Sequence, residues 1–431
     1  KFDISKHKTL TTIPINNFYK LPKENKTLVI LTNEFPYGKG ETFLENEISF
    51  LLQSFQKVIV LTESSRGQSR INTCDVKIHK LQKFNLSHRF LALMSVRFFQ
   101  ELNLLIKSKK LNINTFRTSW YSLSKAISYK KKLKNIHLKN KSSEIVYYSY
   151  WLDEKALALC LIKKMFSTIN VISRTHGWDL YEDRHPNHYL PFRSFLLKTL
   201  DQVFTISNHG KEYLNLQYPH NINKTEVSRL GTLALDKLSK KKRSSEFQIL
   251  SISNVISLKR VHKILEIVSS IPNKYIHWTH IGDGPLMESI QKIAIDKSKS
   301  NLLFSFDLLG QQSNDEVRDF LSRTYIDIFI NLSETEGIPV SIMEAQSAGI
   351  PVLATNVGGT SEIVNNENGF LVDKESKLDD IISVLHNYFK GSNEDIQRKR
   401  HASYINWEQN YNAERNYNQF IKQLTNHHTH P

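Results

Sequence analysis

Two glutamates, Glu336 and Glu344, sit within the most informative stretch of the chain, NLSETEGIPVSIMEAQSAGIPVLATNVGGTSEIV, residues 331 to 364. Carboxylates are good acceptors for paired sugar hydroxyls, and two of them at different depths along one helix could hold two different sugars. Local signals predict that helix. Pro339 suits a first helical position, where its missing N–H costs nothing. Gly349 suits a helix end and Pro351 stops continuation, so the helix spans residues 339 to 348. Its amino end offers free N–H groups from around Gly337 to Val340, with Ile338 and Pro339 between them, and its dipole favours an anion there. Gly337 lets a ligand approach the backbone closely. Each feature alone is ordinary: GIPVLAT is a buried strand after a turn, and Gly358–Gly359 is a turn. Their conjunction is specific.

SNVISLKRVHKILE (253–266) holds two adjacent cations, Lys259 and Arg260, which by themselves read as a surface pair. Breaking a sugar–phosphate bond leaves negative charge on the departing diphosphate, and fixed cations and helix amino termini can stabilise it without a metal. The sequence has no Asp-x-Asp clamp in a matching context, so metal independence is expected, and it offers no convincing protein nucleophile. IGDGPLMESI (281–290) carries Gly282 and Gly284 but lacks the third glycine of a dinucleotide fingerprint.

Taken together, E-G-I-P-V-S-I-M-E-A followed by G-I-P-V-L-A-T-N-V-G-G-T-S-E-I-V resembles the signature of glycosyltransferase family 4, with members acting in surface-polysaccharide biosynthesis among its relatives. The resemblance implies an α/β GT-B fold, two Rossmann-like doubly wound domains facing each other across a cleft, and a retaining reaction. It makes Glu336 the contact to the transferred sugar and Glu344 the contact to the ribose hydroxyls. Gly337, Ile338, Pro339 and Val340 would serve the sugar and diphosphate, and Gly358–Gly359 would border the donor site. Gly282 and Gly284 would shape a loop near the nucleotide, and Gly310 in LLGQQSNDEV would turn the loop that receives the base. The family's diphosphate is held by an arginine and a lysine five residues apart. Lys259 matches the lysine, but Asn254 stands at the arginine position and Arg260 replaces the glycine after the lysine. Arg260 could supply the missing charge, since a guanidinium grips phosphate with two donors. The implied donor is a UDP- or GDP-sugar, with no further cofactor, and the implied acceptor is a hydroxyl of a glycan or lipid-linked glycan.

The amino-terminal half offers acceptor-side candidates. NEFPYGKGETFLENEI (33–48) resembles the family's glycine loop, with Gly38 and Gly40 for tight backbone and Glu41 and Thr42 as acceptor contacts. SRTHGWDLYED (173–183) places His176 at a strand end, followed by Asp179, and resembles a segment whose histidine lies near the reacting sugar. SYWLDE (149–154) is a further cleft-lining candidate.

The elements that must position these residues follow from periodicity. LVILT, KVIVLT, EIVYYSYW, NVISRTHGW and DQVFTIS read as buried strands, alternating with helical FLENEISFLLQSF and DEKALALCLIKKMF. Regularity breaks around residues 218 to 243, the expected linker. A second alternating series starts at FQILSIS and ends at GFLVD. The expected domains are 25–220, 245–400 and a terminal helix over 401–431; the resemblance makes the first the acceptor side and the second the donor side, and implies that the terminal helix crosses back. Ligands of such sheets collect at the carboxyl ends of the strands.

The chain has 431 residues, 58 Lys+Arg against 42 Asp+Glu, and a formal charge of +16. Such an excess favours polyanionic partners. Basic clusters fall at Lys107–Lys110, Lys130–Lys141 and Lys240–Arg243. The first follows FNLSHRFLALMSVRFFQELNLLIK, read as one basic, aromatic amphipathic helix that suits either a membrane surface or a domain core. Cys74 and Cys160 form neither a metal pattern nor a disulfide framework, and the HHTHP tail makes no metal site. The expected location is cytoplasmic, with contact at the inner face of an anionic membrane. Two other readings stay open at this stage: a sugar-nucleotide epimerase of the same fold, and a basic nucleic-acid-binding protein, which lacks any zinc-finger, helix-turn-helix or RNA-binding signature.

Overall fold

The computed structural model describes residues 24–38, 40–71, 76–140, 143–236 and 245–426. Cys74, the Lys240–Arg243 cluster and the histidine-rich tail lie outside the described residues. The chain divides into two compact units. The first runs to Phe204 and adds Tyr218–Glu226 and residues from Phe420 onward; the second holds Thr205–Gln217 and Val227–Gln419.

The first unit contains β1 (Glu24–Thr32), α1 (Phe43–Ser54), β2 (Phe55–Thr62), β3 (Val76–Lys80), α2 (Leu86–Leu93), α3 (Val96–Lys107), α4 (Ile113–Lys139), β4 (Glu144–Ser149), α5 (Glu154–Lys163), β5 (Asn170–Thr175), α6 (Arg193–Thr199) and β6 (Gln202–Thr205). After α7 (Asn208–Gln217), which groups with the second unit, β7 (Thr225–Val227) completes a seven-stranded sheet of order β3-β2-β1-β4-β5-β6-β7. Helices cover both faces of such a sheet, so its central strands are apolar throughout, and Leu28, Val29, Ile30 and Leu31 of β1 are fully buried. Strand order reverses between β1 and β4, which pair in parallel. The loops after these two strands therefore leave the sheet at a topological switch point.

The second unit repeats the plan with β8 (Glu246–Ile252), α8 (Val261–Ser269), β9 (Tyr275–Ile281), α9 (Met287–Ser300), β10 (Phe304–Leu308), α10 (Asn314–Arg323), β11 (Ile328–Asn331), α11 (Val340–Ser347), β12 (Val352–Thr355), α12 (Thr360–Ile363) and β13 (Gly369–Val372). Its order, β10-β9-β8-β11-β12-β13, puts the switch between β8 and β11. Trp278 is fully buried in the core of this unit, and Phe247 stacks on Phe389 at 4.1 Å. The chain closes with α13 (Leu378–Lys390), α14 (Asn393–Asn410) and α15 (Ala413–Asn426).

Three local expectations are corrected. The terminal segment is two helices instead of one. Thr232 donates its N–H to Tyr411 O and accepts from Ala413 N, both at 3.0 Å, and this bridge interrupts the helical ladder. Segment 84–107 is also two helices, because Ser95 caps α3 by accepting from Arg97 N at 3.2 Å. Pro339 precedes α11 as its cap, with extended ψ of 122°, and the first helical residue is Val340. No helix among the described residues is long and apolar enough to cross a membrane.

Candidate functional site

In the second unit, the site grows from the loops that follow β8, β9, β11 and β12. After β8 the chain makes a short 3-10 turn, Ser257–Lys259, and enters α8 through Arg260 at φ +48°. The loop after β11 carries Glu336. Glu334 N donates to Leu258 O at 2.8 Å, tying the two loops side by side. Across that junction Lys259 Nζ donates to Glu336 Oε1, which also accepts from Asn331 Nδ2 at 3.4 Å. Glu336 is only 9% exposed and Lys259 is half-buried, so the pair is a partly desolvated cation and carboxylate at the switch point of the sheet.

Glycines make this packing possible. A Cβ on Gly358 would stand 2.0 Å from Glu336 O, at a backbone φ of +54°. A Cβ on Gly359 would stand 2.4 Å from Gly337 O, the atom that accepts the Gly359 N–H at 2.9 Å. The turn after β12 thus lies directly on the Glu336 loop. Gly282 and Gly284 do the same after β9, where a Cβ would meet Ser253 O at 1.9 Å and Val255 O at 2.6 Å. Gly282 N donates to Gly310 O at 2.8 Å, and Gly310 holds φ +67°. Asn254, exposed, lies on the loop that these contacts fix.

Glu344 lies in the second turn of α11, half-buried, and burial pushes its carboxyl up to about 7. Val340 leads α11, so its N–H and that of Ser341 open the helix amino end beside Gly337. Ile338 and Pro339 are buried.

Arg260 does not take the place expected of it. It is 4% exposed, its Nε donates to Leu332 O at 2.6 Å and its Nη1 to Lys374 O at 3.0 Å. A side chain spent on carbonyls braces the end of β11, and Lys259 is the cation that meets Glu336.

In the first unit, the candidate residues lie on the loops that follow β1 and β5, beside the loop after β4. Glu41 is a brace and not an acceptor contact. Its carboxylate accepts the N–H groups of Asn33, Glu34 and Phe35 at 2.7–2.8 Å, and the indole N–H of Trp151 at 2.6 Å. Gly38 and Gly40 wrap Glu34, whose Oε2 accepts from Gly40 N at 3.0 Å and would stand 2.5 Å from a Cβ on Gly38. Thr42 precedes α1 without a side-chain cap bond. Asp179 is likewise internal: its carboxylate accepts from His176 N and Leu152 N, both at 2.7 Å, and burial raises its proton affinity.

His176 is different. Its ring packs against both Tyr150 and Trp151, at 4.6 and 4.5 Å between centroids, and both ring nitrogens are buried without a hydrogen-bond partner. Burial, then the Arg174 charge, hold it well below the usual histidine range, so the imidazole is neutral. A neutral ring with one donor and one acceptor unused is suited to a hydroxyl-bearing ligand. Trp151 stands beside both Glu41 and His176, a place that only the fold, and no local pattern in the sequence, reveals.

Residues 235–402 match the family model described as glycosyl transferases group 1. The chain is 28% identical over 148 residues to an O-antigen biosynthesis glycosyltransferase, WbnH, of Escherichia coli, covering 33% of this chain and 40% of that protein. It is 26% identical over 210 residues to a putative colanic acid biosynthesis glycosyltransferase, WcaL, of Escherichia coli (strain K12), covering 46% and 50%. The chain thus spans half or less of the length of these relatives. Among solved structures, Anabaena HepE in complex with UDP superposes with a TM-score of 0.64 at 13% identity, covering 93% of this chain and 99% of that one. The lipopolysaccharide outer core galactosyltransferase WaaB does so at 0.64 and 14%, covering 92% and 98%. The fold is the two-domain α/β fold of these transferases, GT-B.

Proposed function

We propose that this chain is a retaining hexosyltransferase of the family 4 type, moving a sugar from a UDP- or GDP-sugar to a hydroxyl of a glycan or lipid-linked glycan in polysaccharide or glycoconjugate biosynthesis. The observation that carries the reading is the Lys259–Glu336 pair at the β8–β11 switch point, beside the amino end of α11. The family match over residues 235–402 and the O-antigen and colanic acid relatives support it.

In this reading Glu336 orients the transferred sugar, and Glu344 takes the ribose hydroxyls. Lys259 and the N–H groups at the start of α11 stabilise the diphosphate as it leaves, without a metal ion. The anomeric carbon–oxygen bond to phosphate breaks, the acceptor oxygen bonds to the same face of that carbon, and its proton passes to the departing phosphate oxygen. Neutral His176 hydrogen-bonds the reacting sugar. Where the acceptor is lipid-linked, the reaction belongs at the inner face of the cell membrane.

Thermal-shift measurements with UDP, GDP and ADP test the donor site, because a ligand of the native state raises its stability. Stabilisation by UDP or GDP, and transfer from the matching sugar nucleotide with retention, is the expected result. No shift with any of the three, and neither transfer nor hydrolysis across a panel of sugar nucleotides, would end the proposal.

A further inference from the structure

The charge of this chain is concentrated. Residues 76 to 143 hold sixteen Lys and Arg and one acid, Glu101, so the remainder of the sequence is close to neutral. That one acid is turned inward, where it accepts from Tyr189 Oη at 2.6 Å and Phe192 N at 2.8 Å. The stretch comprises β3, α2, α3 and α4.

On the same stretch lies a large apolar surface. In α2 and the turn after it, Leu86, Phe90 and Met94 recur every four residues and are 79%, 63% and 66% exposed. In α3, Val96, Phe99 and Ile106 form a second stripe, each more than half exposed. These helices are not loosely held. Phe98 packs edge-on to Phe116 of α4 at 5.3 Å, and Trp120 Nε1 donates to Arg89 O at 2.9 Å. One face is anchored in the fold, and the other presents aromatic and aliphatic side chains to solvent, far more than scattered exposure accounts for. Beside α2, Lys80, Lys83, Lys131 and Lys132 line an open cleft of about 470 Å³. Of these, Lys132 reaches His79, which burial, then Lys132 and Lys77, hold below the usual histidine range.

We propose that the α2–α3 face is a docking surface for an anionic lipid bilayer. The apolar stripes enter the headgroup region, and the lysine cleft takes lipid phosphates. Apolar side chains beside uncompensated cations match an interface that is greasy within and negative outside. A nucleic acid would use the charge but leave the apolar stripes exposed. This surface is independent of the donor reading.

Co-sedimentation with vesicles of phosphatidylcholine, with and without phosphatidylglycerol, is the test. The chain is expected to pellet with the anionic vesicles only. The double variants Phe90→Ser with Phe99→Ser, and Lys131→Glu with Lys132→Glu, are each expected to lose on the order of tenfold in partitioning. Their melting temperatures and their response to UDP should stay as in the unaltered chain. Because the UDP response is read without lipid, failure of the donor reading and failure of the docking surface give different results. Indifference to anionic vesicles, unchanged partitioning of either variant, or duplex DNA binding that outcompetes the vesicles would overturn the assignment.

Discussion

The indole N–H of Trp151 donates to Glu41 Oε1 at 2.6 Å, joining the loop after β1 to the loop after β4. With three backbone N–H donors on the same carboxylate, every strong acceptor position of Glu41 is used. Glu41→Ala is therefore expected to lower stability by about 2 kcal/mol or more, because it leaves buried donors without a partner. Chemical denaturation measures this. Full stability with abolished transfer would instead mark Glu41 as a substrate contact.

Glu336→Gln keeps the shape of the side chain and removes its charge, leaving Lys259 without its ion partner. Turnover is expected to fall by roughly a hundredfold or more, a loss typical of removing one preorganised electrostatic group. Donor affinity should change much less. Kinetics under saturating donor separate the two, and near-normal turnover would count against a role at the sugar.

The pH dependence of nucleotide binding has a defined sign. Glu344 titrates at about 7 in the folded chain against 4.5 unperturbed, so between these values the native state holds a proton that the unfolded chain has lost. Its contribution to stability accordingly falls as pH rises through that window. Ribose hydroxyls donate to the ionised carboxylate, so binding should expel a proton and tighten as pH rises through 7. Calorimetry in buffers of different ionisation enthalpy reads that proton. In Glu344→Gln the release should vanish; release that persists would point to another group.

His176 carries the opposite prediction. Its proton affinity is depressed in the fold, so its contribution to stability is complete above about pH 6.5, the unperturbed value, and is lost as pH falls below it. His176→Phe keeps a ring against Tyr150 and Trp151 while deleting both nitrogens. The variant should melt no lower than the parent and should transfer sugar at least about tenfold more slowly. A variant with parental turnover would reduce His176 to packing.

Gly358→Ala should disturb Glu336 without touching it chemically. The added methyl would stand 2.0 Å from Glu336 O, at a left-handed φ. A stability loss of about 2–3 kcal/mol is expected, together with weaker nucleotide binding. A wild-type denaturation midpoint would show that the turn can shift freely.

Much of this was legible in the order of residues. Alternation of short apolar runs with helical segments announces two parallel sheets, since strands buried on both faces admit little else. Glu336, Gly337 and the α11 signals lie within a few residues of each other, where sequence reading is strongest. The long helix α4 was not legible. Its inward face carries Ser119, Ser124 and Ser128, which are buried and bonded to the carbonyls of Thr115, Trp120 and Lys125, so its polar composition hid a packed helix. The roles of Arg260 and Glu41 were hidden for another reason. Their side chains answer to carbonyls and amides brought near by the fold, such as Lys374 O, which lies 114 residues from Arg260.

The placement of nearly all the excess charge on one stretch makes the molecule an electric dipole. Near a negative surface such an object feels torque as well as attraction, over a range of about 8 Å at physiological salt. The cationic face would turn toward the lipid before any side chain touches it. Orientation would thus be chosen during approach, and salt should slow arrival more than it speeds departure.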